Sequence, residues 1–217
     1  MPKFHTPRSL IVATSLFLSA AQSAAAFEMT EIGQIQIGDG EGFAEMIRYH
    51  SESESLMVTA SETGTIERIS MSNPAVMSMM PPLDLDGGDV TAVAVHDNLV
   101  AASIKAKAAD VPGMVKLFDV AGNLLARFET GALPDNVAFS PDGRYLLTAN
   151  EGEPSDDYTV DPEGSFTLID LAGGAANAKV TQISLDRIEA PAGSRIVKPG
   201  SSFAADAEPE YVAFAPD

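Results

Sequence analysis

Apolar and polar residues alternate along most of this chain in short runs separated by tight polar turns, and one arrangement returns at intervals. Val90 to Ile104 reads VTAVAVHDNLVAASI, Asn136 to Asn150 reads NVAFSPDGRYLLTAN, and Tyr211 to Asp217 reads YVAFAPD. Each full copy is an apolar run, a turn and a second apolar run. A cassette follows it, GMVKLFD from Gly113 and GSFTLID from Gly164, with a degenerate relative, GTIERIS from Gly64, behind Glu45 to Ala60. The period within a unit is two: in Met114 to Val120, Val115 and Leu117 fall on one side, Met114, Lys116 and Phe118 on the other. That is strand patterning. Ser140-Pro141-Asp142-Gly143 supplies a turn, since proline presets one dihedral and glycine accepts a positive φ.

The spacing sets the architecture. The runs from Ile47, Val93, Val137 and Val212 step by 46, 44 and 75 residues, and the cassettes by 49 and 51. A four-stranded propeller blade repeats at roughly 40 to 50 residues, and insertions account for the long last step. Four strands per unit place one blade at Val90–His96, Leu99–Ile104, Met114–Val120 and Leu124–Glu129, and the next at Asn136–Ser140, Tyr145–Asn150, Ser165–Leu171 and Lys179–Leu185. The chain is therefore expected to be all-β, a β-propeller of four-stranded blades at about 43–80, 90–130 and 135–186, with a further blade starting at 210. A β-sandwich is the rival, but it does not require one cassette to recur at a fixed step. No helical stripe is sustained beyond the N-terminus, so almost no helix is expected.

Residues 1–26 read as a signal peptide: Lys3 and Arg8 in a basic head, Leu10 to Ala21 as an apolar core, then Ala24-Ala25-Ala26. The core is short for a bilayer span, so removal is expected in preference to retention as an anchor. The remaining 27–217 would be an incomplete propeller carrying 11 Lys and Arg against 31 Asp and Glu, a net charge of about −20. Such a surface repels phosphate backbones and excludes a nucleic-acid binder. It favours cations. There is no cysteine, and only His50 and His96 lie beyond the leader, so thiol chemistry and a histidine-built zinc site are excluded. The two histidines read as turn residues, and the Met71–Met80 methionines as gap fillers between blades.

The densest chemistry lies between the second and third strands of the third blade. Residues 151–163, EGEPSDDYTVDPE, hold six carboxylates, and no Lys or Arg occurs between Arg144 and Lys179. Crowded like charges need solvation or a shared cation, and hard oxygen donors suit calcium. With the later group Asp206-Ala207-Glu208-Pro209-Glu210, the candidate ligands are Glu151, Glu153, Asp156, Asp157, Asp161, Glu208 and Glu210. A solvated acidic loop and a two-metal catalytic site stay open beside calcium coordination. No EF-hand spacing, P-loop, dinucleotide fingerprint or nucleophile elbow is present.

From Ala149, ANEGEPSDDYTVDPEGSFTLIDL resembles the choice-of-anchor I family of secreted bacterial propeller proteins, as do Ala207 to Ala213 and Gly131 to Val137. The resemblance implies a propeller of the YVTN or WD40-like kind, closed in its relatives by later blades that this sequence does not include. It also implies an exported protein of the periplasm, extracellular space or cell surface. The family includes proteins known as atypical alkaline phosphatases and relatives of a mesenchyme-specific cell-surface glycoprotein. Two functions follow as expectations. One is a noncatalytic module binding calcium and a protein or polysaccharide partner through acidic rim loops; the other is a metal-dependent phosphomonoesterase. The first is favoured because phosphate chemistry recruits cationic side chains, which the acidic segment lacks.

Overall fold

The computed structural model describes residues 29–39, 43–190, 192–193 and 201–215; the leader, Arg195, Lys198 and the last two residues lie outside them. Ile32 to Asp217 forms one compact unit. Among the described residues twelve strands make three antiparallel sheets. The first contains β1 (Ile47–His50), β2 (Ser55–Ala60), β3 (Thr65–Ser70) and β4 (Ser78–Asp84). The second contains β5 (Asp89–His96), β6 (Leu99–Lys105), β7 (Pro112–Asp119) and β8 (Leu124–Ala132). The third contains β9 (Pro134–Phe139), β10 (Tyr145–Asn150), β11 (Ser165–Asp170) and β12 (Lys179–Ser184). Within each sheet the strands lie side by side in chain order. The remaining regular structure is one 3-10 turn, Ala175–Asn177, and the four-residue helix α1, Phe203–Asp206.

These are propeller blades. Their apolar residues form two layers, each between consecutive sheets, where a sandwich would have a single layer between two. Met57 and Ile66 of the first blade pack with Val93, Val100, Ala102 and Phe118 of the second. On the other side, Ala101, Val115 and Leu117 pack with Val137, Leu146 and Ile169 of the third. The second blade is thus buried on both faces, and the alternation of its strands sends successive side chains into different layers. A register shift between Val90 and Ala92 keeps Val90 and Val93 in one layer despite their odd spacing.

Each blade also hydrogen-bonds the next at repeated positions. His50, the last residue of β1, bonds through Nε2 to the Asp97 carbonyl in the following blade's turn. His96, the last residue of β5, bonds the Pro141 carbonyl in the same way at 3.0 Å. Both are architectural, as expected of turn histidines. The cassette glycines mark a second repeated contact. A Cβ on Gly113 would stand 2.3 Å from Pro134 Cδ, and one on Gly164 would stand 2.5 Å from Pro209 Cδ. In each case the glycine admits the residue that precedes the next unit's apolar run.

Three expectations need correction. The first blade extends to Asp84, because β4 runs through Pro81-Pro82 at a sheet edge, where proline's missing N–H removes no ladder bond. Of the methionines there, Met79 is exposed on that edge strand and fills no gap, while Met71, Met77 and Met80 are half-buried. Tyr211 to Phe214 form no strand, since no partner strand lies beside them among the described residues to complete a ladder. Val212 is nonetheless buried against the inner strands.

Candidate functional site

The acidic segment leaves the sheet at the end of β10 and is fixed at both base and tip. At the base the Glu151 and Gly152 amides donate to the Leu133 and Ala132 carbonyls at 2.8 and 3.2 Å. Gly152 has φ +69°, and a Cβ there would stand 2.8 Å from the Glu163 carbonyl carbon, so the two ends of the loop touch. At the tip Ser155 and Val160 close a small ring: the Ser155 amide donates to the Val160 carbonyl at 2.9 Å, and Ser155 Oγ accepts from the Val160 amide at 3.1 Å. Inside it, the Asp157 carboxylate accepts from Ser155 Oγ, Thr159 N and Thr159 Oγ1 at 2.7 to 3.1 Å. Those bonds, the Thr159 hydroxyl's foremost, hold the Asp157 carboxyl below the usual carboxylate range.

The second acidic group is brought in by α1. Ser202 Oγ caps this helix by accepting from the Ala205 amide at 3.1 Å, and the Ala204 carbonyl accepts from the Gly164 amide at 2.7 Å. With Pro209 seated against Gly164, Asp206 and Glu208 face the loop. The result is an open cleft of about 290 Å³ lined by Glu151, Glu153, Asp161, Asp206 and Glu208 beside Pro154 and Tyr158.

Charge crowding is strongest at Glu151. Its carboxyl is half-buried, and burial together with the nearby charges of Asp135, Glu153, Glu210 and Glu208 pushes its pKa up to about 7. The Asp135 carboxyl is raised too, by burial first and then by Glu210, with Lys105 opposing. Four of the seven sequence candidates, Glu151, Glu153, Asp161 and Glu208, therefore share one cleft, and Glu210 is felt from beside it. Asp156 and Asp157 do not join them. They line a neighbouring cleft of about 480 Å³, shared with Glu153, whose opposite wall is the end of β6 with Lys105 and the β6–β7 loop with Lys107. Among the described residues no three acidic or histidine side chains are grouped closely enough to hold one metal ion as they stand.

Asp135 is the carboxylate beside Glu151 that the carboxylate runs did not reveal. A signal was available: Pro134-Asp135-Asn136-Val137-Ala138-Phe139 and Pro209-Glu210-Tyr211-Val212-Ala213-Phe214 are the same phrase, so Asp135 and Glu210 occupy one position of the repeat. Arg144, the last cation before the acidic segment, is engaged elsewhere. It pairs with Asp170 at 3.1 and 3.2 Å and stacks over Tyr145. It also precedes β10 while Glu151 follows it, and six strand residues span about 20 Å.

Comparison with solved structures shows the fold. The hydrazine synthase of Kuenenia stuttgartiensis is matched at TM-score 0.54 and 16% identity, over 66% of this chain and 43% of that one. A protein of Bacteroides uniformis provisionally assigned as a 6-phosphogluconolactonase is matched at TM-score 0.50 and 14% identity, over 67% of this chain and 41% of that one. The chain thus spans less than half the length of either. No curated protein gives a significant match. No helix among the described residues is long and apolar enough to cross a membrane. The family model for the choice-of-anchor I domain matches residues 45–217, a class that points to a surface or secreted anchoring module. With blades, acidic loop and the Pro209–Phe214 phrase all inside that match, the chain belongs to the choice-of-anchor I domain family.

Proposed function

We propose that the chain is a noncatalytic module of an exported or surface protein, and that its acidic loop end binds calcium and through it a protein or polysaccharide partner. The observation that carries this reading is the Glu151 carboxyl, lifted to about 7 by burial and by four neighbouring carboxylates. A site that holds a proton near neutral pH because of burial and crowded negative charge will exchange it for a cation. Hard carboxylate oxygens on irregular loops suit calcium's flexible coordination better than magnesium's strict octahedron. Because the carboxylates are spread along one cleft, binding draws the 151–163 and 206–210 segments together.

Calorimetry with calcium at pH 6 and pH 8 tests it. Affinity is expected to rise with pH, since Glu151 must lose its proton to ligate. Glu151→Gln is expected to weaken binding at pH 8 and to remove that dependence. Absence of calcium binding at millimolar concentration and pH 8 overturns the metal reading. Turnover of a generic phosphomonoester lost in Glu151→Gln overturns the noncatalytic one.

A further inference from the structure

The chain carries a net charge of −18, yet four of its 13 Lys and Arg residues line one open cleft of about 380 Å³ between the second blade and the Leu85–Gly88 segment that leads into it. They are Lys105, Lys107, Lys116 and Arg127, facing two carboxylates, Asp86 and Asp89. Lys116 is the anchor. It lies in the middle of β7 with its side chain 4% exposed, and Nζ donates to the Leu85 carbonyl and to Asp86 Oδ2, both at 2.6 Å. Arg127 reaches the same Asp86 oxygen through one nitrogen at 3.3 Å, leaving the rest of its guanidinium to the cleft. Lys105 pairs with Asp89 at 3.3 Å. Lys107 is exposed, and no acidic group among the described residues lies within ion-pair reach of it. Local charge is thus +2 where the whole chain is strongly negative. The rest of the lining is apolar or bare backbone: Leu85, Gly87, Gly88, Ile104 and Met114.

We propose that this cleft binds the carboxylate of an acidic sugar, the ring lying on the apolar floor and the carboxylate between Arg127 and Lys107. A guanidinium fork matches a carboxylate in plane. The volume falls within the range of small-ligand clefts, about 300 to 1,000 Å³. A densely charged polyanion is disfavoured, because the wall beyond Lys107 is the acidic loop with Glu153, Asp156 and Asp157. A saccharide with an isolated carboxylate meets the two cations without running into that wall. The proposal extends the partner half of the reading above, at a cleft that needs no calcium.

The test is saturation-transfer NMR on the whole chain with a glucuronate-terminated disaccharide, in the presence of a chelator, against the same disaccharide ending in glucose. The acidic sugar is expected to bind with an affinity near millimolar, and the neutral one roughly tenfold more weakly. Arg127→Gln and Lys107→Gln, both at exposed positions, are expected to weaken the acidic sugar roughly tenfold and threefold with unchanged melting temperature. Equal binding of the two disaccharides, insensitivity to both variants, or displacement of the sugar by inorganic phosphate at equal affinity would each overturn the assignment. Because calcium is chelated, a negative result here leaves the acidic-loop reading standing, and a failure of calcium binding leaves this one.

Discussion

The loops that follow β6 and β10 occupy the same place in consecutive blades, between the second strand and the cassette glycine, and differ in chemistry. Residues 106–111 read AKAADV, one lysine to one carboxylate, with Lys105 beside them at the end of β6; residues 151–164 carry six carboxylates and no cation. The two loops form facing walls of one cleft. Beneath them the scaffold is the same, for Gly113 meets Pro134 as Gly164 meets Pro209. The repeat fixes where a loop leaves and where the next blade must start, and imposes nothing on the residues between. Loop chemistry is therefore free to diverge while the interblade contacts are held.

The strongest way to break this equivalence is to fill the two glycines. A valine at Gly164 would drive into Pro209 Cδ at 2.5 Å and the Glu151 carbonyl oxygen at 3.1 Å; one at Gly113 would meet Pro134 Cδ at 2.3 Å and the Ile104 carbonyl oxygen at 2.6 Å. Each substitution is expected to cost about 1 to 3 kcal/mol in urea unfolding, as overpacking does. Gly87, whose added Cβ would meet nothing within 4 Å despite φ +70°, is the control, with Gly87→Ala costing about 1 kcal/mol from the backbone alone. A cost at Gly164 no larger than this control would show that the second interblade step is not built like the first.

The comparison sharpens with pH. Glu151 has a folded pKa near 7, above its ordinary value of 4.5, so the native state retains a proton that the unfolded chain has lost. Its effect on stability is absent below about pH 4.5, grows as pH rises toward 7 and is constant above. Solvent screening at this half-exposed group limits the penalty to about 1 to 2 kcal/mol. Glu151→Gln is expected to be more stable than the parent by that amount at pH 8 and equal to it at pH 4, followed by denaturant titration. A difference at pH 8 smaller than that at pH 4 would reverse the sign and remove the crowding argument.

The blades were legible because short apolar runs bounded by turns recur at a fixed step. Seven of the eight strands placed in the second and third blades agree with the structure to within two residues at each end, while β8 runs three further, to Ala132. What sequence could not reach is contact between units. Lys116 alternates in β7 like a solvent-facing residue and is buried, because Asp86 and the Leu85 carbonyl arrive from the end of the first blade to receive it. Arg68 is likewise buried in β3, donating to the Val120 carbonyl at 2.6 Å in the next blade's turn. The site was half legible for a related reason. Composition located the carboxylates, but the Ser155–Val160 ring commits Asp157 to its own turn, and the fold adds Asp135 from another strand.

That ring supports the smallest effect. Ser155 Oγ accepts from the Val160 amide and donates to Asp157, so one hydroxyl holds both the hairpin's neck and the carboxylate within it. Ser155→Ala removes those bonds while the Ser155 amide still donates to the Val160 carbonyl at 2.9 Å. The expected cost is about 0.5 to 1 kcal/mol, confined to the tip. It should register as faster hydrogen exchange at the Val160 and Thr159 amides with an unchanged urea midpoint, because tip opening exposes none of the interblade core. The β6–β7 loop is tied across its own span by the Val111 amide donating to the Ala108 carbonyl at 3.2 Å, with no serine closing it, so its amides are expected to exchange faster than those of the intact acidic tip. If the longer, more charged loop exchanges faster than the shorter one even with Ser155 in place, repulsion among its carboxylates outweighs the hydrogen bonds, and a bound cation becomes a requirement for order in that loop.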